Sequence, residues 1–222
     1  MVDEIQTGLG RTGTLFATDF AEVRPDLLLV GKALSGGLVP VAACLMTAIV
    51  WSQAFSGPGR CHLCASTFGG GRLAMEAGLE TLRIVADEQL AARAQQQGRV
   101  LLAGLQQLAT RHAVIREVRG LGLMAGVEFQ PPHGLLPGLV PRWARQQLFA
   151  QVVAAVLLRD HGLLTQPCGL APAVLRIEPP LVIAREEIEA LLAALDRVLA
   201  AYPSHTAAVL AAMRKTVLGR EL

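Results

Sequence analysis

Leu27-Leu-Leu-Val-Gly-Lys-Ala-Leu-Ser-Gly-Gly37 is the stretch from which the rest of the chain can be read. Four apolar residues, Leu27 to Val30, follow Pro25 and precede Gly31. A run that short without polar alternation suits a strand buried in a parallel sheet, delivering Lys32 at its carboxyl end. Composition singles out the same residue: of 20 basic residues only Lys32 and Lys215 are lysines. A guanidinium carries surface charge as well as an ammonium does, but it stays protonated and cannot form a Schiff base with an aldehyde. Two readings of Lys32 remain open at this point, a chance surface lysine or an amine kept for its chemistry.

Working outward, Asp3 to Gly13 is a polar, glycine-punctuated loop that reads as the exit of a strand. Pro40 to Met46 is a second candidate strand, followed by a short helix over about Thr47–Ala54. Ser56 to Gly71 reads as loop. Leu73 to Thr110 is helical, with a break near Asp87, and Leu82, Val85, Leu90, Ala94, Leu101, Leu105 and Leu108 supply its apolar positions. Val114–Val118 and Leu123–Phe129 flank Gly120 and Gly122 as a β pair. Then come a Pro/Gly loop through Pro141, a helix over Arg142–Arg159, strands near Leu163–Gln166 and Val174–Glu178, and a helix over Arg185–Ala200. The expected divisions are a sheet-bearing region over 1–83, a connecting helical region over 84–111, a small α+β domain over 112–201 and a tail over 202–222. The fold class is α/β, and no internal repeat is visible.

The bulk properties narrow the function. The chain has 222 residues, 52% hydrophobic and 17% charged, with a net charge of +2 and arginines scattered along it. That balance argues against a nucleic-acid partner. Its longest apolar runs fall well short of the roughly 20 residues needed to span a bilayer. No basic n-region or apolar h-region follows Met1, so the expected compartment is the cytoplasm. Cys44, Cys61, Cys64 and Cys168 are too few and too unevenly spaced for a disulfide framework. Cys61-His-Leu-Cys64 lacks a second pair, so free thiols are expected and no metal site.

Three strings occur in order: Asp3-Glu-Ile-Gln-Thr-Gly-Leu-Gly-Arg-Thr-Gly13, Gly31-Lys-Ala-Leu-Ser-Gly-Gly37 and Ser66-Thr-Phe-Gly-Gly70. Arg176-Ile-Glu-Pro-Pro-Leu181 follows them. Together they resemble the class III, or ω-, aminotransferases among the fold-type I pyridoxal-phosphate enzymes, over nearly all of residues 1 to 200. The resemblance implies a pyridoxal 5′-phosphate cofactor, an amine donor, a 2-oxo acid acceptor and a homodimer with shared active sites. It makes 1–83 the C-terminal remnant of a cofactor-binding large domain.

What the resemblance implies for each residue follows from the cofactor's chemistry. The cofactor is an electron sink whose capacity depends on a protonated pyridine nitrogen, which a carboxylate partner maintains. Asp3 matches that carboxylate; otherwise it caps a turn. Ile5 matches the residue packed on the ring and Gln6 the one that contacts its phenolic oxygen, against plain readings as core isoleucine and loop glutamine. Lys32 matches the Schiff-base lysine, which also moves the proton between substrate carbon and cofactor. Thr67 matches a threonine that reaches the neighbouring subunit's cofactor phosphate. Arg176 matches a position that pairs with a substrate carboxylate. Its string also resembles the putrescine aminotransferase branch, where it would meet the acid co-substrate; a structural ion pair with Glu178 or Glu187 is the third reading.

The chain departs from the family in length and at Gly71-Arg72, where many relatives have Asn-Pro. The expectation is an N-terminally truncated aminotransferase, lacking most of the large-domain sheet and the phosphate-binding turn. Such a chain should bind cofactor poorly, expose apolar surface and leave sheet edges unpaired. The rival reading is a non-catalytic remnant, or a partial subunit unable to hold cofactor alone.

Overall fold

The computed structural model describes residues 1–60, 63, 64, 66–131 and 142–204, with side chains in the last segment described from residue 148 onward. Cys61 and residues 205–222 of the tail lie outside the described residues. The chain divides into two compact units, residues 1–95 and 96–222.

The first unit is organised by a three-stranded sheet in the order β1-β2-β3. Strand β2, Leu27–Val30, is central. It runs parallel to β1, Val2–Asp3, with Asp3 opposite Leu29. It is antiparallel to β3, Ala43–Met46, with Val30 opposite Ala43. The sequence reading of β2 as a strand of a parallel sheet is therefore corrected to a mixed environment. A short apolar run encodes burial but not the direction of its neighbours. The second strand starts at Ala43 rather than Pro40, because its partner ends at Val30 and the chain turns at Gly31.

Lys32–Ser35 form a 3-10 turn after β2, closed at Gly36 in the left-handed conformation with φ 63°. Leu9, Val30 and Leu34 form a small core beneath it, with Phe16, Leu28 and Val41 against its rim. Helix α1, Ala48–Phe55, is capped by the Thr47 side chain, which accepts from Val50 N at 3.4 Å. Helix α2, Arg72–Asp87, backs the 3-10 turn. A Cβ on its Gly78 would stand 3.6 Å from Leu34 O, and Thr81 Oγ1 lies 3.4 Å from where a Cβ on Gly36 would be. The expected break in the helical region falls after Asp87, where Gln89 takes φ 49° before helix α3, Leu90–Arg111. The same unit exposes large apolar side chains, among them Leu38, Ile49, Phe68 and Leu73.

The second unit is a four-stranded antiparallel sheet with helices packed on it. Strands β4 (Ile115–Leu121), β5 (Met124–Phe129), β6 (Gln166–Pro167) and β7 (Val174–Ile177) lie in the order β4-β5-β7-β6. In β5, Ala125, Val127 and Phe129 are buried while Met124, Gly126 and Glu128 are half-buried, the period of two expected for one face on a core. Helix α4, Arg142–His161, brings Phe149 edge-on to Phe129, with ring centroids 4.8 Å apart. Helix α5, Arg185–Ala201, buries Ile188, Leu191, Leu195, Val198 and Leu199 at three- and four-residue spacing. Glu187 accepts the Ala184 N–H at 2.8 Å and so caps that helix. The expected strand at Leu163–Gln166 pairs only from Gln166 onward, because its register is set by Arg176 opposite Gln166.

Asp196 on α5 ties back to the end of α3. Its carboxylate meets His112 Nε2 at 2.6 Å and Arg111 Nη1 at 2.7 Å. The His112 hydrogen bond, helped by the Arg111 charge and opposed by partial burial, holds the Asp196 carboxyl below the ordinary aspartate range. A lowered native value means stabilisation that is complete above the unfolded value of about 3.9 and lost as pH falls through the native one. Asp196→Asn should cost about 1 kcal/mol at pH 7. Between pH 7 and pH 3 the variant should lose less stability than the parent chain, measured by urea unfolding at both pH values; equal losses would remove this role for Asp196. Among the described residues no helix is long and apolar enough to cross a membrane, and no cluster of His, Cys, Asp or Glu could hold a metal ion.

Candidate active site

The loop after β1 is built around a buried carboxylate. Glu4 is 1% exposed. Its backbone N–H donates to Leu29 O at 2.9 Å, its Oε1 accepts Thr18 N at 2.7 Å and its Oε2 accepts the Thr7 hydroxyl. A buried carboxylate is tolerable only when its lone pairs are taken up in this way. Gly8 N then donates to Glu4 O at 3.0 Å. A Cβ at Gly8 would sit 2.8 Å from that oxygen and 3.3 Å from the Phe16 ring, so the turn needs glycine. Asp3 Oδ1 accepts Ile5 N at 2.9 Å. Ile5 packs towards Gly31, where a Cβ would meet its Cγ2 at 3.5 Å.

Lys32 stands at the carboxyl end of β2, exposed, with φ 44°. That left-handed conformation is uncommon for a residue with a side chain and persists only where the surroundings impose it. Its Nζ donates to Gln6 Oε1 at 2.7 Å. Asp3 and Lys32 thus occupy the carboxyl ends of neighbouring parallel strands, and Gln6 bridges the two loops that follow. An open cleft of about 610 Å³ is lined by Lys32, Ser35, Gly37, Leu38, Pro40 and Ala42, among others. Ser35, buried, exchanges hydrogen bonds with the backbone of Val39 and shapes that wall.

Two of the residues singled out from sequence stand elsewhere. Thr67 is exposed in the turn closed by Gly69 N to Ser66 O at 3.0 Å, and no hydrogen bond joins it to the Asp3–Gln6–Lys32 cluster among the described residues. Arg176 belongs to the second unit, on β7, between Gly126 and Gln166 in register. Its Nη2 reaches Gln166 Oε1 at 3.4 Å and its Nη1 lies 3.9 Å from Glu178 Oε1. Among the described residues its Nε is buried without a hydrogen-bond partner. Glu187, the other carboxylate considered for it, is engaged at Ala184 N instead.

Residues 1–199 match the family model for class-III aminotransferases. The chain belongs to that family. It is 32% identical to the aminotransferase PigE of a Serratia species, over 85% of this chain and 26% of that protein. Among solved structures, the ornithine aminotransferase of Toxoplasma gondii is 36% identical and superposes with a TM-score of 0.74, over 89% of this chain and 42% of that one. An amine transaminase from an uncultivated Pseudomonas species, in a pyridoxal-phosphate-bound form, is 30% identical with a TM-score of 0.73, over 89% and 43%. The chain therefore spans less than half the length of these relatives. The fold is accordingly part of the fold-type I aminotransferase architecture.

Within this class-III chain, the segments that carry Asp3, Ile5, Gln6 and Lys32, the residues singled out from sequence, lie side by side in the first unit. Glu4 and Ser35, which brace the two loops, are not singled out by the sequence. For Glu4 the only available signal was a charged residue between two segments that must both be buried; its partner Thr18 lies fourteen residues away. For Ser35 the signal was a hydroxyl immediately before two glycines.

Proposed function

We propose that this chain carries the lysine-bearing part of a pyridoxal-phosphate-dependent aminotransferase, which moves an amino group from an ω-amine, a diamine or an amino acid to a 2-oxo acid. The observation that carries the reading is Lys32, which lines an open cleft with its amine 2.7 Å from Gln6, and Asp3 at the end of the adjoining parallel strand. The residue types suit the two ends of a pyridoxal ring: an exposed primary amine for the aldehyde and, for the ring nitrogen, a carboxylate whose Oδ1 accepts a backbone N–H. When bound, the cofactor supplies an electron sink for the bonding pair left at the substrate carbon. Asp3 would keep the ring nitrogen protonated, Ile5 would pack on the ring face and Gln6 would meet its phenolic oxygen. Lys32 Nζ would take the proton from the substrate carbon and return it at the other side of the reaction.

Arg176 is proposed to hold a substrate carboxylate. Its ion pair with Glu178 is long, at 3.9 Å, and among the described residues its buried Nε has no hydrogen-bond partner. A guanidinium so loosely engaged is available for bidentate binding. Thr67 is proposed to act across a homodimer interface, which its exposure permits. The exposed Leu38, Phe68 and Leu73 favour burial against further polypeptide, and a chain unable to retain cofactor by itself is the second reading they support. A cytoplasmic location is proposed with the rest.

The test uses the two lysines. The chain is incubated with pyridoxal phosphate, reduced with borohydride and digested. The pyridoxyl group is expected on Lys32 in clear excess over Lys215, and equal or absent labelling of Lys32 would overturn the reading.

A further inference from the structure

We propose that Gln6 is a positioning residue for the Lys32 amine, its carboxamide oxygen held by the Glu4-braced loop at the point where Nζ stands. The proposal deepens the reading of Lys32 given above and rests on it. The contact itself is a charge-assisted hydrogen bond of 2.7 Å, joining residues 26 apart in sequence.

Neither end of that bond is free to drift. On the acceptor side, Glu4 fixes the turn through Thr18 N, the Thr7 hydroxyl and Leu29 O. Gly8 locks the return of the loop, since its own N–H bonds Glu4 O and no Cβ fits beside that oxygen. On the donor side, Lys32 is held at φ 44° by the 3-10 turn that α2 backs through Gly78 and Thr81. Ile5 closes on Gly31 between the two ends. Two rigid turns therefore present one amine to one amide oxygen.

A consequence follows for reactivity. The ammonium bonded to Gln6 has no lone pair to offer, and Nζ attacks an aldehyde only after giving up a proton and turning from the position that Gln6 holds, so Gln6 governs both where Nζ stands and how readily it reacts.

Lys215, the other lysine of the chain, provides an internal reference. The full chain is treated with limiting formaldehyde and cyanoborohydride, and methylation of the two lysines is compared by peptide mass spectrometry. Gln6→Leu, which removes the acceptor, should raise the Lys32 to Lys215 ratio about three- to tenfold. Gln6→Glu, which strengthens the acceptor, should lower it by a similar factor. Unfolding cannot produce that fall. Ratios unchanged from the parent in both variants would overturn the proposal, even if pyridoxal phosphate is trapped on Lys32. Ratios that shift as expected without any pyridoxyl label on Lys32 would uphold the positioning role and count against the aminotransferase reading instead.

Discussion

Lys32→Arg should abolish amino transfer by any assembly in which this chain is active, with a fall on the order of a thousandfold or more, because the proposed role makes one residue both nucleophile and proton carrier. The substitution keeps a positive charge and a long side chain, so it isolates chemistry from electrostatics. Exposure of the side chain means that little packing is lost, and the folded content seen by circular dichroism should match the parent. The measurement is single-turnover transfer to a 2-oxo acid, with the companion variant Lys215→Arg as reference. Lys215→Arg should retain the parent rate, and a Lys32→Arg variant as active as the parent would remove Lys32 from the reaction.

Gly98→Ala should severely destabilise the second unit. A Cβ there would stand 2.1 Å from Gly122 O and 2.6 Å from Gly122 Cα. Both are backbone atoms of the β4–β5 turn, where Gly122 takes φ 54°, so no side-chain rotation relieves the overlap. Helix α3, which buries Leu101 and Leu105 fully, would have to move away from that turn. The expected cost is about 3 kcal/mol or more, which for a unit of this size lowers the melting temperature by roughly 10 °C. Gly169→Ala is the matched control. No atom lies within 4 Å of its added Cβ, and its effect should stay within about 0.5 kcal/mol. Thermal unfolding of both variants decides the matter, and similar melting points would mean that the approach of α3 to the turn is not tight.

Those two positions illustrate what could and could not be read from residues alone. The apolar spacing along α5, and the alternation along β5, announced their elements because each reports one buried face. Lys32 was legible through the scarcity of lysine and the glycines around it. Direction and register were not legible. Nothing in Ala43–Met46 says that it runs antiparallel to β2, and β6 falls at Gln166–Pro167 because Arg176 and Leu175 on the neighbouring strand select those partners. The same limit hid the role of Glu4, which depends on the chain returning to bring Thr18 N to its carboxylate. Arg176 could be named from its motif, whereas the distance that leaves Glu178 a poor partner required coordinates.

Asp3 and Lys32 are proposed to hold opposite ends of one pyridoxal ring. Ring-¹⁵N-labelled cofactor fixed on Lys32 by reduction, followed by nitrogen NMR across pH, reads that arrangement directly. In the parent chain the ring nitrogen should keep its proton well above the pH at which the free reduced cofactor loses it, and Asp3→Asn should return it to the free behaviour. Identical titrations in parent and variant would contradict the arrangement.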